Sequence, residues 1–199
     1  MSTQSCILLV LGAGLSRRFG ENDKLEAMLN DRPLAQHVLQ IVTTLPWQQK
    51  RVVSRLGGTW HGAYDQSGFH RLINPEPERG LGSSLALGIR GLEPQDRVLI
   101  CLADMPFITP AHLLRLCAAS EAEPHLAFAT SSPSYRGPPA VFPMESLLKL
   151  SPEEDMGARS LIRTAQLLCC PTHETTDIDD AASLAAITQA SPPSDFPGT

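Results

Sequence analysis

The most constraining feature of this chain is an alternation: short apolar runs take turns with stretches whose apolar residues recur at helical spacing. Runs at 6–11 (CILLVL), 51–53, 72–73, 98–102 (VLICL), 126–129 and 140–142 have the length and composition of strands. Several are apolar at every position, as expected of strands covered on both faces. Between them, Leu34, Val38, Ile41 and Leu45 fall at i, i+4, i+7 and i+11. Leu85, Ile89 and Leu92 repeat that spacing, as do Ala158, Leu161, Ile162 and Ala165. Strands alternating with helices imply right-handed crossovers, which predicts an α/β fold of three layers, α/β/α, around a mainly parallel sheet.

In such a sheet, ligands bind beyond the carboxyl ends of the strands, so the loops after Leu11 and Leu102 are expected to be neighbours. With 199 residues the chain suits one domain, expected over 1–190. The polar, proline-rich end SPPSDFPGT, 191–199, is expected to be a disordered tail. A content of 42% hydrophobic and 19% charged residues excludes fibrous and fully disordered classes. No apolar stretch is long enough for a membrane span, and no basic segment precedes the first run, which argues against a secretory signal. The five cysteines (Cys6, Cys101, Cys117, Cys169 and Cys170) show no CxxC spacing and read as reduced thiols of a cytoplasmic protein. A net charge of −5 supplies no global field for nucleic acid, and Trp47 and Trp60 form no basic stacking platform. Neither nucleic acid nor membrane is an expected partner, and an anionic ligand requires a local cluster of cations.

That cluster is offered by LVLGAGLSRRFGENDK, 9–24, where an apolar strand runs into a loop holding Gly12, Gly14, Gly20, Arg17, Arg18 and Lys24. Glycines let backbone N–H groups approach a ligand, permit φ > 0, and can build a nest for phosphate oxygens. The plain alternative is a tight strand-to-helix turn with exposed arginines. A dinucleotide fingerprint fails because position 17 is Arg and no acidic residue closes the second strand near Ser54 and Arg55. A P-loop fails because Gly20 is followed by Glu21 and Asn22. What remains is a glycine turn followed by Arg18, a forked donor, and Lys24, a flexible point charge, which together suit a triphosphate held for attack at phosphorus.

Two further segments converge on the same end of the sheet. NPEPERGLGSSLALGI, 74–89, places Asn74 at a strand end, a Gly80-x-Gly82 turn, and Ser83 and Ser84 where a helix is expected to begin. Serines there would cap the helix, whose amides favour an anion or a sugar or base oxygen, and the Asn74 amide could face a nucleobase edge. A capped helix also needs no ligand. VLICLADMPFI, 98–108, sends Asp104 out of a buried strand towards the first loop, with Pro106 stiffening the turn. A carboxylate beside a triphosphate fits a divalent cation, and Mg2+ commonly takes one or two carboxylates plus phosphate oxygens. Alternatively, Asp104 is a turn or N-cap residue. Among Asp177, Asp179 and Asp180, one carboxylate could join the metal, or could cap the following helix.

Taken in order, these segments resemble the nucleotidyltransferases of molybdenum cofactor maturation, above all the cytidylyltransferase branch. The family's start motif LAAGxSxRxG with a following lysine is matched by Leu11, Gly12, Ala13, Gly14, Ser16, Arg18, Gly20 and Lys24. Asn74-Pro75, Gly82-Ser83-Ser84, Ala103-Asp104-Met105-Pro106, Asp155-Met156-Gly157-Ala158-Arg159 and Asp177-Ile178-Asp179 match its later motifs. The departures are Gly12 for the usual alanine, Pro138 where a histidine is usual, and Glu154 for a glycine. Ala13 is similar to the cytidylyl branch, whereas the guanylyl branch tends to carry glycine there.

The resemblance implies a Rossmann-like fold of the nucleotide-diphospho-sugar transferase type and transfer of CMP from CTP to the terminal phosphate of molybdopterin, releasing pyrophosphate. It assigns Arg18, Lys24 and Asp104 to catalysis. Leu11, Gly12, Ala13, Gly14, Ser16, Asn74, Gly80, Ser83 and Ser84 go to nucleotide binding, and Asp104, Asp177 and Asp179 to Mg2+. A molybdoenzyme or its chaperone is the implied recipient. Readings of the same segments that differ in substrate are GTP as donor, or a sugar or polyol phosphate as acceptor. A non-catalytic module that delivers nucleotide or molybdopterin is the reading from another class.

Overall fold

The computed structural model describes residues 3–16, 19, 23–150, 157–176, 178, 183, 184 and 187. Arg18, Gly20, Asp177, Asp179 and the 191–199 tail lie outside the described residues.

The first apolar run forms β1 (Ile7–Gly12), whose six residues are all buried. It lies between β4 (Gln49–Arg55) and β6 (Arg97–Leu102), parallel to both, and β5 (His70–Asn74) continues the sheet beyond β4. On the other flank, β8 (Tyr135–Pro143) pairs antiparallel with β6 and with β7 (Phe128–Ser132), and β9 (Gln166–Cys169) runs parallel to β7. The seven-stranded order is β5-β4-β1-β6-β8-β7-β9. Because only β8 is reversed, the carboxyl ends of β1, β4, β5, β6, β7 and β9 share one end of the sheet.

Helices cover both faces, giving the three layers expected. Leu8 and Val10 of β1 pack with buried residues of α1 (Leu34–Val42), α2 (His61–Gln66) and α4 (Pro110–Ala122). Leu9 and Leu11, on the opposite face by the period of two, pack with α3 (Leu81–Gly88), α5 (Met144–Leu147) and α6 (Gly157–Thr164). A strand whose side chains are removed from water on both sides contributes about 1.5–3 kcal/mol for each large apolar residue, before the entropy of ordering it. Among the described residues, no helix is long and apolar enough to cross a membrane. All five cysteines are free thiols.

Some elements escape the pattern. The hairpin of β2 (Met28–Leu29) and β3 (Arg32–Pro33) turns at Asn30 and Asp31, both at positive φ (48° and 60°), a turn chemistry that Asn and Asp tolerate. α4 was hidden because its apolar positions are diluted by polar ones, although Thr109 caps it by accepting from His112 N–H and Pro110 opens it. β9 is half-buried on an edge and lacks a continuous apolar signal. The helix expected to begin at Ser83 and Ser84 starts at Leu81 and ends at Gly88, where the buried guanidinium of Arg51 donates to Gly88 O (2.9 Å) and Arg90 O (2.8 Å). These bonds satisfy carbonyls that the helix end leaves open.

Gly12, at the end of β1, explains itself by contact. A Cβ there would lie 2.6 Å from Trp60 Cη2, 2.9 Å from Trp60 Cζ2 and 3.1 Å from Ala103 Cβ. Trp60 is 1% exposed, with its ring packed edge-on against Tyr64, so the indole has no free direction in which to yield. The alanine usual in similar sequences is therefore excluded by this tryptophan. Gly12→Ala should cost about 1–3 kcal/mol through overpacking, a fall in Tm of about 2–10 °C. In the Trp60→Phe background the added cost should shrink, and calorimetry of the four-member cycle checks it; strict additivity would show that the indole is not what keeps position 12 a glycine.

Candidate nucleotide-binding site

The carboxyl ends of β1 and β6 are joined beyond their strands. Ala103 N–H donates to Leu11 O at 3.0 Å, extending the β1–β6 ladder by one bond and holding the two expected loops side by side. From there the chain after β1 turns through Ser16, which sits at φ 51°, and reaches a single 3-10 turn, Lys24–Glu26. Among the described residues of this loop the left-handed position is thus a serine: Gly12 and Gly14 are not at positive φ. A Cβ on Gly14 would meet open space. Among the described residues, the N–H groups of Ala13, Gly14, Leu15 and Ser16 have no acceptor, which leaves a run of donors at the strand end.

Lys24 is placed by contacts on both sides of it. Asp23 caps its turn by accepting from Leu25 N–H (3.1 Å), and its other oxygen lies 3.1 Å from the guanidinium of Arg55 at the end of β4. Glu26 accepts from the backbone N–H of Thr59 and, at 3.0 Å, from its hydroxyl. Those two hydrogen bonds hold the Glu26 carboxyl below the usual range. Between these anchors, Lys24 Nζ reaches Asp104 Oδ2 at 2.8 Å, with 10% and 24% of the two side chains exposed. Asp104 Oδ1 is buried and has no hydrogen-bond partner among the described residues. An unpartnered carboxylate oxygen is expensive to bury, and it offers a hard ligand atom that fits a divalent cation such as Mg2+.

Lys24 and Asp104 line a cavity of about 410 Å3 together with Leu11, Gly12, Ala13, Gly14 and Ser16 on one wall and Glu78, Gly80, Leu81 and Ser84 on another. That volume suits a nucleotide-sized ligand. Most of the expected nucleotide-binding residues therefore meet in one place. Asn74 and Ser83 do not line it. Asn74 is 3% exposed, and its amide donates to Ser83 Oγ (2.9 Å) and Ser84 Oγ (3.0 Å) while its oxygen accepts from Glu76 N–H (3.0 Å). Both amide protons are spent inside the protein, so the group braces the cavity wall from behind. Nor do the serines cap α3: Gly80, at φ 81°, holds the N-cap position, and Ser83 Oγ donates back to Gly80 O at 2.9 Å. Arg18, Asp177 and Asp179 lie outside the described residues.

The positioning residues Asp23, Arg55, Glu26 and Thr59 were not singled out from sequence. Asp23 directly before Lys24 is a cap signal that could have been read. Arg55 and Thr59 carry no local signal, since they act only once β4 lies beside β1.

Residues 8–170 match the MobA-like NTP transferase domain. The chain belongs to that family. A curated relative, the bifunctional protein GlmU of Acidithiobacillus ferrooxidans, is 29% identical over 131 residues, covering 60% of this chain and 28% of its own length. Among solved structures, Rv0371c from Mycobacterium tuberculosis H37Rv aligns at TM-score 0.76 with 19% identity over 95% of this chain and 100% of its own. The same protein in complex with manganese aligns at 0.70 with 16% identity, over 94% and 100%. Molybdopterin-guanine dinucleotide biosynthesis protein A from Archaeoglobus fulgidus aligns at 0.63 with 16% identity, over 92% and 97%. Within this MobA-like NTP transferase domain, the family segment around Asn74 is a brace. Asn74→Ala should leave two serine hydroxyls short of a donor and cost about 1–3 kcal/mol, a drop in Tm of about 2–10 °C. An unchanged Tm combined with altered nucleotide preference would instead make the amide a base-reading group.

Proposed function

We propose that this MobA-like nucleotidyltransferase transfers CMP from CTP to the terminal phosphate of molybdopterin, with release of pyrophosphate. The observation that carries the proposal is the meeting of Lys24 and Asp104 at one cavity, with Asp104 Oδ1 left without a partner among the described residues. The donor run at Ala13–Ser16 supports a triphosphate seat. Ala13 at the cavity wall supports cytosine over guanine, on the branch resemblance.

In the reaction, an acceptor phosphate oxygen attacks the α-phosphorus in line. The new P–O bond forms as the bond from α-phosphorus to the α,β-bridging oxygen breaks, and that electron pair leaves with pyrophosphate. No general base is needed, because a phosphate monoester already carries close to two negative charges near pH 7. Lys24 exchanges its partner: the ammonium leaves Asp104 Oδ2 for the phosphate oxygens, where it offsets developing charge. Arg18 adds a forked donor to the same phosphates. Ser84 Oγ accepts from Asn74 and has a proton with no acceptor among the described residues, so it can donate to the ligand. Asp104, with Asp177 or Asp179, would hold Mg2+, which when bound neutralises triphosphate oxygens.

Lys24→Ala should lower turnover by about 100- to 1,000-fold while moving Tm by no more than a few degrees. Asp104→Asn should abolish pyrophosphate release in a folded protein, as read by circular dichroism and a coupled pyrophosphate assay. Near-normal rates in either variant would remove that residue from the chemistry. The substrate assignment is decided by offering ATP, GTP, CTP and UTP with purified molybdopterin and Mg2+. Pyrophosphate from CTP alone is the expected result. Release from GTP, or only with a sugar or polyol phosphate as acceptor, would replace the assigned base or acceptor, and CTP binding without release would make the chain a delivery module.

A further inference from the structure

A second cluster of ligating side chains lies outside the nucleotide cavity, where α4 begins and the chain leaves β9. His112 stands in the first turn of α4, Cys170 follows β9, and Glu174 lies in the 3-10 turn Thr172–Thr175. One ligand atom from each falls within 4.8 Å of the other two. Their exposures are 2%, 9% and 8%, so three residues with metal-ligand chemistry converge in a nearly dry pocket. None of the three lines the cavity that holds Lys24 and Asp104.

The hydrogen bonds settle which imidazole atom is available. Thr130 Oγ1 donates its one proton to Pro139 O at 2.6 Å, so it must accept from His112 Nε2–H at 2.8 Å. That fixes the tautomer, with the proton on Nε2 and a lone pair on Nδ1. His112 Nδ1 is buried and has no hydrogen-bond partner among the described residues. An imidazole oriented by a donated bond on one nitrogen and left bare on the other is the arrangement by which proteins prepare a metal ligand. Glu174 is likewise oriented, its Oε2 accepting from the Thr109 hydroxyl at 2.9 Å. Cys170 is held through its backbone, whose N–H donates to Ser131 O at 3.0 Å.

We infer that His112 Nδ1, Cys170 Sγ and Glu174 form a binding site for Zn2+, separate from the Mg2+ chemistry of the nucleotide site. Sulfur, imidazole nitrogen and carboxylate together favour a borderline-soft cation and disfavour Mg2+. The charges also match: a thiolate and a carboxylate bring two negative charges, which a divalent ion cancels in a pocket where isolated charge is costly. Burial lowers the pKa of the His112 imidazole, favouring the neutral form that ligates, whereas burial and the Glu174 carboxylate push the Cys170 thiol up. Zinc entry therefore displaces the thiol proton to solvent as the Sγ–metal bond forms. Three protein ligands leave a fourth position for water or for an oxygen of a bound molecule. The ion would clip the 170–175 segment to the start of α4, and the inference stands whether or not the chain transfers CMP.

The test uses full-length protein stripped with chelator, dialysed, and titrated with Zn2+ against a chromophoric chelator, then with Co2+ as a spectroscopic stand-in. One Zn2+ per chain is expected, with a thiolate-to-cobalt charge-transfer band for Co2+. Cys170→Ser should lower Zn2+ affinity at least about 100-fold and remove the band, and Thr130→Val, which frees the imidazole to rotate, should lower it about 10- to 100-fold. Cys169→Ser, altering the exposed neighbouring thiol, should change neither. Glu174→Gln keeps the volume and the Thr109 contact, so it decides the matter should Cys170→Ser fail to fold by circular dichroism. No stoichiometric Zn2+ in folded wild-type protein overturns the site, as does affinity unmoved by Glu174→Gln and Cys170→Ser, or a loss in Cys169→Ser equal to that in Cys170→Ser.

Discussion

Everything in this molecule is registered from β1, hydrogen-bonded on both edges and buried on both faces. A strand in that position cannot slide by one residue without exchanging Leu8 and Val10 for Leu9 and Leu11 between two different packing environments. Fixing its register fixes where it ends, at Gly12, and the bond from Ala103 N–H to Leu11 O then fixes where β6 delivers Asp104. The catalytic carboxylate of the proposed reaction is therefore placed by the core rather than by its own loop. Trp60 closes the arrangement from the side, and its hold on the strand end is what makes position 12 a glycine.

Lys24 depends on a different kind of support. Its segment is separated from β1 by a loop and lies in a turn too short to hold itself, since an isolated turn gains little from one or two hydrogen bonds. The fixing comes from polar contacts to the β4 side: Asp23 with Arg55, and Glu26 with Thr59. A single ion pair contributes little by itself, but here capping and pairing at Asp23 and acceptance from Thr59 at Glu26 act on both sides of Lys24. The outcome is an ammonium held at Asp104 by a frame that can release it without unfolding, which suits a cation that must trade a carboxylate for phosphate.

The layered sheet and the meeting of the first loop with Asp104 were legible because they follow from unbroken apolar runs and from the rule that loops at carboxyl ends converge. What sequence could not supply is the division of labour within those loops. Asn74 has the chemistry of a base reader, yet its neighbours Ser83 and Ser84 absorb its amide protons, a fact that exists only once β5 and α3 lie side by side. Positive φ was expected of the glycines, yet Gly12 and Gly14 do not adopt it and Ser16 does, because sterics rank which residue adopts αL most cheaply, not which residue the path of the chain requires. α4 and β9 were missed since neither has a clean apolar period, and with them went any view of His112, Cys170 and Glu174 as neighbours.

The two sites are not independent in space. The segment from Asp104 to Thr109 leaves the nucleotide cavity and ends at the cap of α4, where Thr109 donates to Glu174. Met105 and Ile108 within it are buried to 0% and 2% exposure, and Pro106 removes one backbone freedom, so this connection is short and stiff. A force on Glu174 is thus transmitted to the carboxylate at the cavity through five peptide bonds packed against the core, with little slack to absorb it. Clipping Glu174 to His112 and Cys170 would restrict the Thr109 end of that segment, and with it the freedom of Asp104 to move when Lys24 departs. On this reasoning the zinc clip would hold still the one side chain whose position must not change while its cationic partner does.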